Sequence, residues 1–466
     1  MKNDTTQNEN DPSRLLPSPP VIAVVGAGSL VWGRRIVVDL LRNPDLDGAE
    51  IRLIDIDADR ISLVLEWCRI AADRIGGSCQ LSAHTELEEG LRGATACLTA
   101  ISVGGDRLWR YDYLHPHLDG IFQPVGDTIG PGGTIRALRH APALRTVAQT
   151  LADVGAPGAL LLQLTNPLNA LTACLDAIPG IRVFGFCHGY YDTEFTFAKS
   201  LGLIPGDTDP ESHWREDGPT VRIELAGNNH FVFTDRLQVN DTTYEQSDLH
   251  TLTPEIFDGP FREAVWSRYG VLVGNNPRHP IEFLPGFMQR KSDFGRLWGV
   301  PPVTAACDPL APERHDDSRR LIERDIQTAR RNADAPLVLS LEHSHEPLAE
   351  ILAAMHTGNR FDTHLNLRNR GAIRGVSDDL HLEMYCRIEN GVVHRPTVSF
   401  PEAITAEIER VGQSQMRVAR CCESYDENLL VEAMQSDALM MHLDEPSIRR
   451  LMREMVDFQR EWIFPE

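Results

Sequence analysis

Short apolar runs alternate with stretches whose apolar positions recur every three to four residues, the pattern of strands and helices laid down in turn. Residues 21–25, 51–54, 96–102, 160–164 and 183–186 are aliphatic or β-branched enough to read as buried strands. Between them, Leu30, Val31, Val37, Val38 and Leu41 predict one helix, and Ile61, Val64, Leu65, Cys68 and Ala72 predict another over 60–75. Further helices are predicted over 134–152 and from Leu168. Strand–helix alternation of this kind gives a parallel sheet covered on both faces. Past Asp192 the texture changes: a β segment over 221–239, Pro-rich connectors over 274–302, a helix over 345–355, strands over 363–367 and 382–388, and long helices from Ala403. The expected fold class is α/β: a polar tail over 1–19, a Rossmann-type domain over 20–200, and an α+β domain over 201–466 for catalysis, substrate binding and oligomerisation.

The predicted strands end in residues with chemistry. After 21–25 comes Gly26-Ala27-Gly28-Ser29 and then a helix, an order that offers backbone N–H groups and a positive helix end to a pyrophosphate. Gly33 lies beyond the position where the usual fingerprint has its third glycine. The strand 51–54 ends in Asp55, a carboxylate suited to the ribose hydroxyls of NAD and repelling the extra phosphate of NADP. The strand 96–102 leads into Val103-Gly104-Gly105-Asp106-Arg107. Residues 125–133 are too glycine-rich for a helix by this reading and form an anion-friendly loop carrying Asp127. Asn166, after 160–164, is suited to a sugar hydroxyl or the nicotinamide amide, or equally to capping the helix that follows Pro167. The strand 183–186 ends in Cys187-His188 before Gly189. A thiolate and an imidazole are good ligands for a divalent transition metal, with Asn229-His230 available to complete them. The alternative is a packed thiol beside a surface imidazole.

Composition narrows the partners. A net charge of −22 over 466 residues argues against nucleic acid or an anionic membrane. Nine scattered cysteines without framework spacing suit a reducing cytoplasm. Residues 1–20 are polar, with no apolar run expected to act as a signal or spanning segment.

Several of these motifs, in this order, resemble glycoside hydrolase family 4, the NAD- and divalent-metal-dependent glycosidases with a lactate/malate dehydrogenase-like fold. The resemblance is carried by Gly26-Ala27-Gly28-Ser29, Asp55-Ile56-Asp57 with Arg60, Gly104-Gly105, the 126–133 stretch with Arg136-Ala137-Leu138-Arg139, Thr165-Asn166-Pro167, Cys187-His188-Gly189, Gly227-Asn228-Asn229-His230 and Asn369-Arg370-Gly371-Ala372-Ile373. It implies that Cys187 and His230 hold Mn²⁺ or another divalent metal, that Gly26, Gly28, Ser29, Asp55 and Arg60 bind NAD, and that Asp127, His188 and His279 belong to the catalytic set. Family members that cleave 6-phosphoglycosides carry Asp or Asn after the metal cysteine. His188 therefore implies the branch acting on unphosphorylated α-galactosides, α-glucosides and uronides, as does the 278–285 stretch. The tyrosine base of the phospho-specific members has no clear equivalent, and Asn228 departs from the usual residue.

The implied reaction takes hydride from the sugar C3, removes the C2 proton, eliminates the aglycone, adds water and returns the hydride. The sequence offers no convincing carboxylate pair of the ordinary glycosidase kind. Asn166, Arg136, Arg278 and Arg290 are the candidate substrate-binding residues, and an arginine in an acidic protein favours a uronide carboxylate. The bland alternative pairs Arg278 and Arg290 with Glu282 or Asp293. The competing function is an NAD-dependent dehydrogenase of a sugar or 2-hydroxy acid. The resemblance also implies a cytoplasmic homo-oligomer, dimer or tetramer.

Overall fold

The computed structural model describes residues 15–208, 221–252, 256–301, 313–344 and 346–465. One sheet of twelve strands runs through it. Strands β1 (Val21–Val25), β2 (Glu50–Ile54), β3 (Gln80–His84), β4 (Ala96–Thr99), β5 (Leu160–Gln163) and β6 (Arg182–Gly185) are parallel, in the spatial order β3-β2-β1-β4-β5-β6. That is the dinucleotide-binding order, with its crevice where the direction of winding reverses between β1 and β4. Beyond β6 the same sheet continues antiparallel. β7 (Val221–Asn228), β8 (Phe231–Val239), β9 (Thr242–Glu245), β10 (Phe361–Arg368), β11 (His381–Glu389) and β12 (Val392–His394) supply this half, in the order β10-β11-β7-β8-β9 with β12 on β11. The two halves meet where Gly185 of β6 pairs with Asn366 of β10. A Cβ at Gly185 would stand 2.8 Å from that of Asn366, so the junction needs glycine.

The helices cover the sheet with the faces their periodicity predicts. Helix α1 (Trp32–Arg42) buries Ile36, Val37, Val38, Leu40 and Leu41, and α2 (Ala58–Ile75) buries Ile61, Val64, Trp67 and Cys68. Asp57 caps α2 by accepting from the amides of Asp59 and Arg60. Helices α3 (Leu87–Leu91), α4 (Gly105–Leu114), α5 (Gly130–Val154), α6 (Leu168–Asp176) and α7 (Gly189–Ser200) complete the parallel half.

Two expectations need correction. Residues 130–133 are not loop but the first turn of α5. Their glycines serve close packing: a Cβ at Gly133 would meet the carbonyl carbon of Thr128 at 2.5 Å, and one at Gly132 would meet Asp112 O at 2.8 Å. The expected β segment over 221–239 is present, as a hairpin of β7 and β8 whose turn is Asn229-His230. The helix placed over 345–355 spans Leu348–Thr357, its predicted first residue lying outside the described ones. Most of the predicted tail also falls outside them, while Leu16 is buried and its N–H donates to Met355 O. No helix among the described residues is long and apolar enough to cross a membrane.

Candidate active site

The carboxyl ends of β1, β2, β4, β5 and β6 converge on one crevice. Gly26 turns the chain at φ +88°, where a Cβ would stand 2.4 Å from Ala100 O. Gly28 approaches Asp55 so closely that a Cβ would lie 2.6 Å from its carboxyl carbon; instead the Gly28 N–H donates to Asp55 Oδ2 at 2.9 Å. Gly33 does the work of the displaced third glycine. It lets α1 lie directly on the loop, where a Cβ would meet Ala27 O at 2.1 Å. Ser29 Oγ accepts from the Trp32 N–H at 3.2 Å, so this residue shapes the start of α1. Arg60 is exposed and pairs with Asp57 at 3.2 Å.

At the end of β6, Cys187 Sγ lies 3.6 Å from His230 Nε2. His230 arrives from the β7–β8 hairpin with φ +133°, a strained value for a residue with a Cβ and one of the kind that gathers at functional sites. Its other nitrogen, Nδ1, stands 2.8 Å from Thr128 Oγ1, and that hydroxyl donates to Asp127 Oδ1 at 2.7 Å. Since the hydroxyl proton goes to Asp127, Thr128 accepts from His230 Nδ1–H. The Nε2 lone pair is thereby turned toward the sulfur. Asp127 Oδ2 accepts from Asn166 Nδ2 at 2.9 Å, and Asn166 O accepts from Arg136 Nε at 3.1 Å. The Asn166 side chain thus faces the site rather than capping α6, which has no side-chain cap. His279 Nδ1 lies 3.2 Å from His230 Nδ1, with Arg278 Nε 3.3 Å from His279 Nε2.

The residues present fit a divalent metal. A thiolate at about 2.3 Å and an imidazole at about 2.0–2.1 Å in tetrahedral geometry are roughly 3.5 Å apart, close to the separation seen here. Among the described residues no three His, Cys, Asp or Glu side chains converge as a ligand set, so the pair leaves other positions to incoming oxygens. Asn229 Oδ1 and Glu383 Oε1 are buried beside it without hydrogen-bond partners. Glu383 Oε2 accepts from Asn229 Nδ2 at 2.8 Å.

Burial dominates the electrostatics. It pushes the Cys187 thiol well up, with the Glu383 carboxyl adding to it against hydrogen bonds from the Gly189 backbone and the Asn229 side chain, and a cation at the sulfur would oppose it. Burial lowers His230 to about 4 against the pull of Asp127, helped by His188 and Arg278. His279 is driven well below the usual range by burial and by His230 and Arg278. Burial also pulls His188 down, but Glu346, Asp192 and Glu383 outweigh it and raise it to about 9. Its Nδ1 lies 2.7 Å from Glu346 Oε1, and the Trp32 ring is 6.3 Å away.

The tertiary structure thus gathers Asp127, Asn166, Arg136, Cys187, His188, His230, Arg278 and His279. Arg290 is not among them, and its side chain is exposed. Neither bland pairing of the arginines is formed. Glu282 accepts the amides of Val125 at 2.6 Å and Gly126 at 3.2 Å, and Asp293 pairs with Arg296 at 3.2 Å. Sequence reasoning gave no role to Thr128, Glu346, Glu383 or Trp32, and offered Glu282 only as an ion-pair partner for an arginine. Thr128 and Glu282 had a signal, their places in the 126–133 and 278–285 stretches that carry the resemblance.

A Rossmann-type α/β enzyme whose dinucleotide loop and Cys–His pair share one crevice is the class that fold and site define. The chain matches the family 4 glycosyl hydrolases over residues 21–203 and the C-terminal domain of that family over 225–440, and it belongs to that family. It is similar to an alpha-galacturonidase of Thermoanaerobacterium saccharolyticum, 26% identical over 95% of this chain and 96% of that one. It is nearly as similar to an alpha-galactosidase of Rhizobium meliloti, 25% identical over 95% and 89%. Among solved structures it resembles a 6-phospho-alpha-glucosidase from gut microorganisms in complex with NAD and Mn²⁺. That likeness has a TM-score of 0.77 and 16% identity over 95% of this chain and 98% of that one. The α/β, dehydrogenase-like fold expected from the sequence is present.

Proposed function

We propose that this glycosidase hydrolyses unphosphorylated α-glycosides using NAD and a divalent metal such as Mn²⁺. The observation that carries the reading is the 3.6 Å approach of Cys187 Sγ to His230 Nε2 in the crevice that begins at the Gly26–Ser29 turn. When bound, the dinucleotide would take hydride from the sugar C3 and later return it, while the metal would polarise the ketone so formed.

The chain's own residues supply the rest. Gly26, Gly28, Ser29 and the N-terminus of α1 bind pyrophosphate, and Asp55 takes the ribose hydroxyls. Arg60 stands behind it through Asp57. Cys187 and His230 hold the metal, with Thr128 and Asp127 fixing the imidazole. Asn166 and Arg136 orient Asp127 and the sugar. Asp127, His188 and His279 ring the pair and form the acid–base set for C2 deprotonation and departure of the aglycone. A uronide is favoured over a neutral galactoside, because the Arg278 guanidinium has no carboxylate partner among the described residues and the chain resembles an alpha-galacturonidase. A cytoplasmic location and a homo-oligomeric state, dimer or tetramer, belong to the same reading.

A panel of nitrophenyl glycosides and uronides assayed with NAD, Mn²⁺ and a reductant tests it. Nitrophenol release without net accumulation of NADH is expected, abolished by Cys187→Ser or His230→Ala with dinucleotide binding retained. NADH accumulation without nitrophenol would move the protein among the sugar or hydroxy-acid dehydrogenases.

A further inference from the structure

His188 is held from a part of the chain that no motif singles out. Residues 335–344 and 346–347 form neither helix nor strand, yet this segment is tied down along its length. Arg74 Nη2 of α2 donates to Ala335 O at 2.7 Å. The amides of Val338 and Leu339 donate to the buried carboxylate of Asp325 at 2.7 and 3.1 Å, and Asp325 also takes the Trp67 indole N–H of α2 at 3.1 Å. Arg42 Nη1 of α1 donates to Leu341 O at 3.3 Å. Ser344 donates to Asp39 of α1 twice, through its N–H at 2.7 Å and its hydroxyl at 2.5 Å. The same Ser344 oxygen accepts the Glu346 N–H at 3.1 Å, so the Asp39 anchor reaches the Glu346 backbone.

The strap delivers one carboxylate to the crevice. Glu346 is 3% exposed, and its Oε1 stands 2.7 Å from His188 Nδ1. The Trp32 ring, on the first residue of the helix that carries Asp39, has its centroid 6.3 Å from that of His188, and His188 Nε2 stands 3.9 Å from Asp192 Oδ2. A carboxylate this close to one ring nitrogen restrains the imidazole and decides which nitrogen faces other partners. Burying that carboxylate costs several kcal/mol unless it is paired, so its position against His188 is a specific one.

We propose that Glu346 is a positioning residue of the glycosidase site, fixing the His188 ring with Nδ1 committed to its carboxylate and Nε2 as the working nitrogen, and that the Asp39–Ser344 contact is the strut that holds it there. The proposal rests on the reading of His188 as a member of the catalytic set.

Two measurements test it, one independent of turnover. In protein labelled with ¹⁵N in its histidine rings, the His188 Nδ1 resonance, assigned by its loss in His188→Gln, should move in Glu346→Gln and return toward the wild-type position in Glu346→Asp. In the glycoside assay, Glu346→Gln should lower kcat about 10- to 100-fold with little change in KM. The double variant with His188→Gln should be no slower than His188→Gln alone. An unmoved resonance, or a double variant as slow as the product of the two single effects, overturns the proposal. If no glycoside is hydrolysed by the wild type, the reading of function fails while the resonance still decides the clamp.

Discussion

Thr128 Oγ1 stands 2.8 Å from His230 Nδ1 and donates its own hydrogen bond to Asp127, so a hydroxyl on a loop sets which nitrogen of His230 faces Cys187. Thr128→Val keeps the volume and removes the acceptor. Partners of this kind behind a metal ligand contribute about 10- to 100-fold in metal affinity or activity. The variant should bind Mn²⁺ that much more weakly by calorimetric titration, with NAD affinity unchanged and Thr128→Ser close to wild type.

Asp55 accepts the Gly28 and Asp57 amides and lies at the end of β2. A carboxylate there repels a 2′-phosphate, so the wild type should prefer NAD strongly over NADP. Asp55→Ala should narrow that preference, mainly by weakening NAD. Equal use of both cofactors by the wild type, measured as kcat/KM, would contradict the assignment.

Gly33 is fixed by contact and not by backbone conformation. A methyl group there meets Ala27 O at 2.1 Å, and both atoms belong to rigid parts of the chain. Gly33→Ala should cost about 1–3 kcal/mol, read from urea unfolding, and should weaken NAD binding as α1 is pushed off the loop.

Glu194 of α7 is buried, accepts the Ile223 N–H at 2.9 Å, and is raised by burial from its ordinary 4.5 to about 8. An acid whose folded value is raised contributes stability that is fully present below pH 4.5 and lost as the pH rises through about 8. Such a rise corresponds to roughly 4–5 kcal/mol. Glu194→Gln keeps the acceptor and cannot ionise. Its advantage over the wild type should therefore be small at pH 5 and grow to a few kcal/mol at pH 8.5, measured by denaturant unfolding at each pH.

What the sequence determined by itself was local. The strand runs, the Gly26–Ser29 turn and Asp55 are legible because each depends on neighbours in the chain: a strand needs its own apolar run, a turn its own glycines. Cys187 was conspicuous for the same reason, standing at the end of a buried run. The glycines of 130–133 misled, since the sequence reads them as freedom whereas packing against Thr128 and Asp112 uses them for closeness. Only the tertiary structure decided what surrounds the Cys187–His230 pair. The order of strands brings β7 and β8 round beside β6 through β10 and β11, and with them His230 and Glu383. Glu346 and Glu282 arrive from irregular segments far along the chain, where periodicity carries no signal. Their positions follow from long-range contacts such as Asp39 with Ser344, which no local pattern encodes.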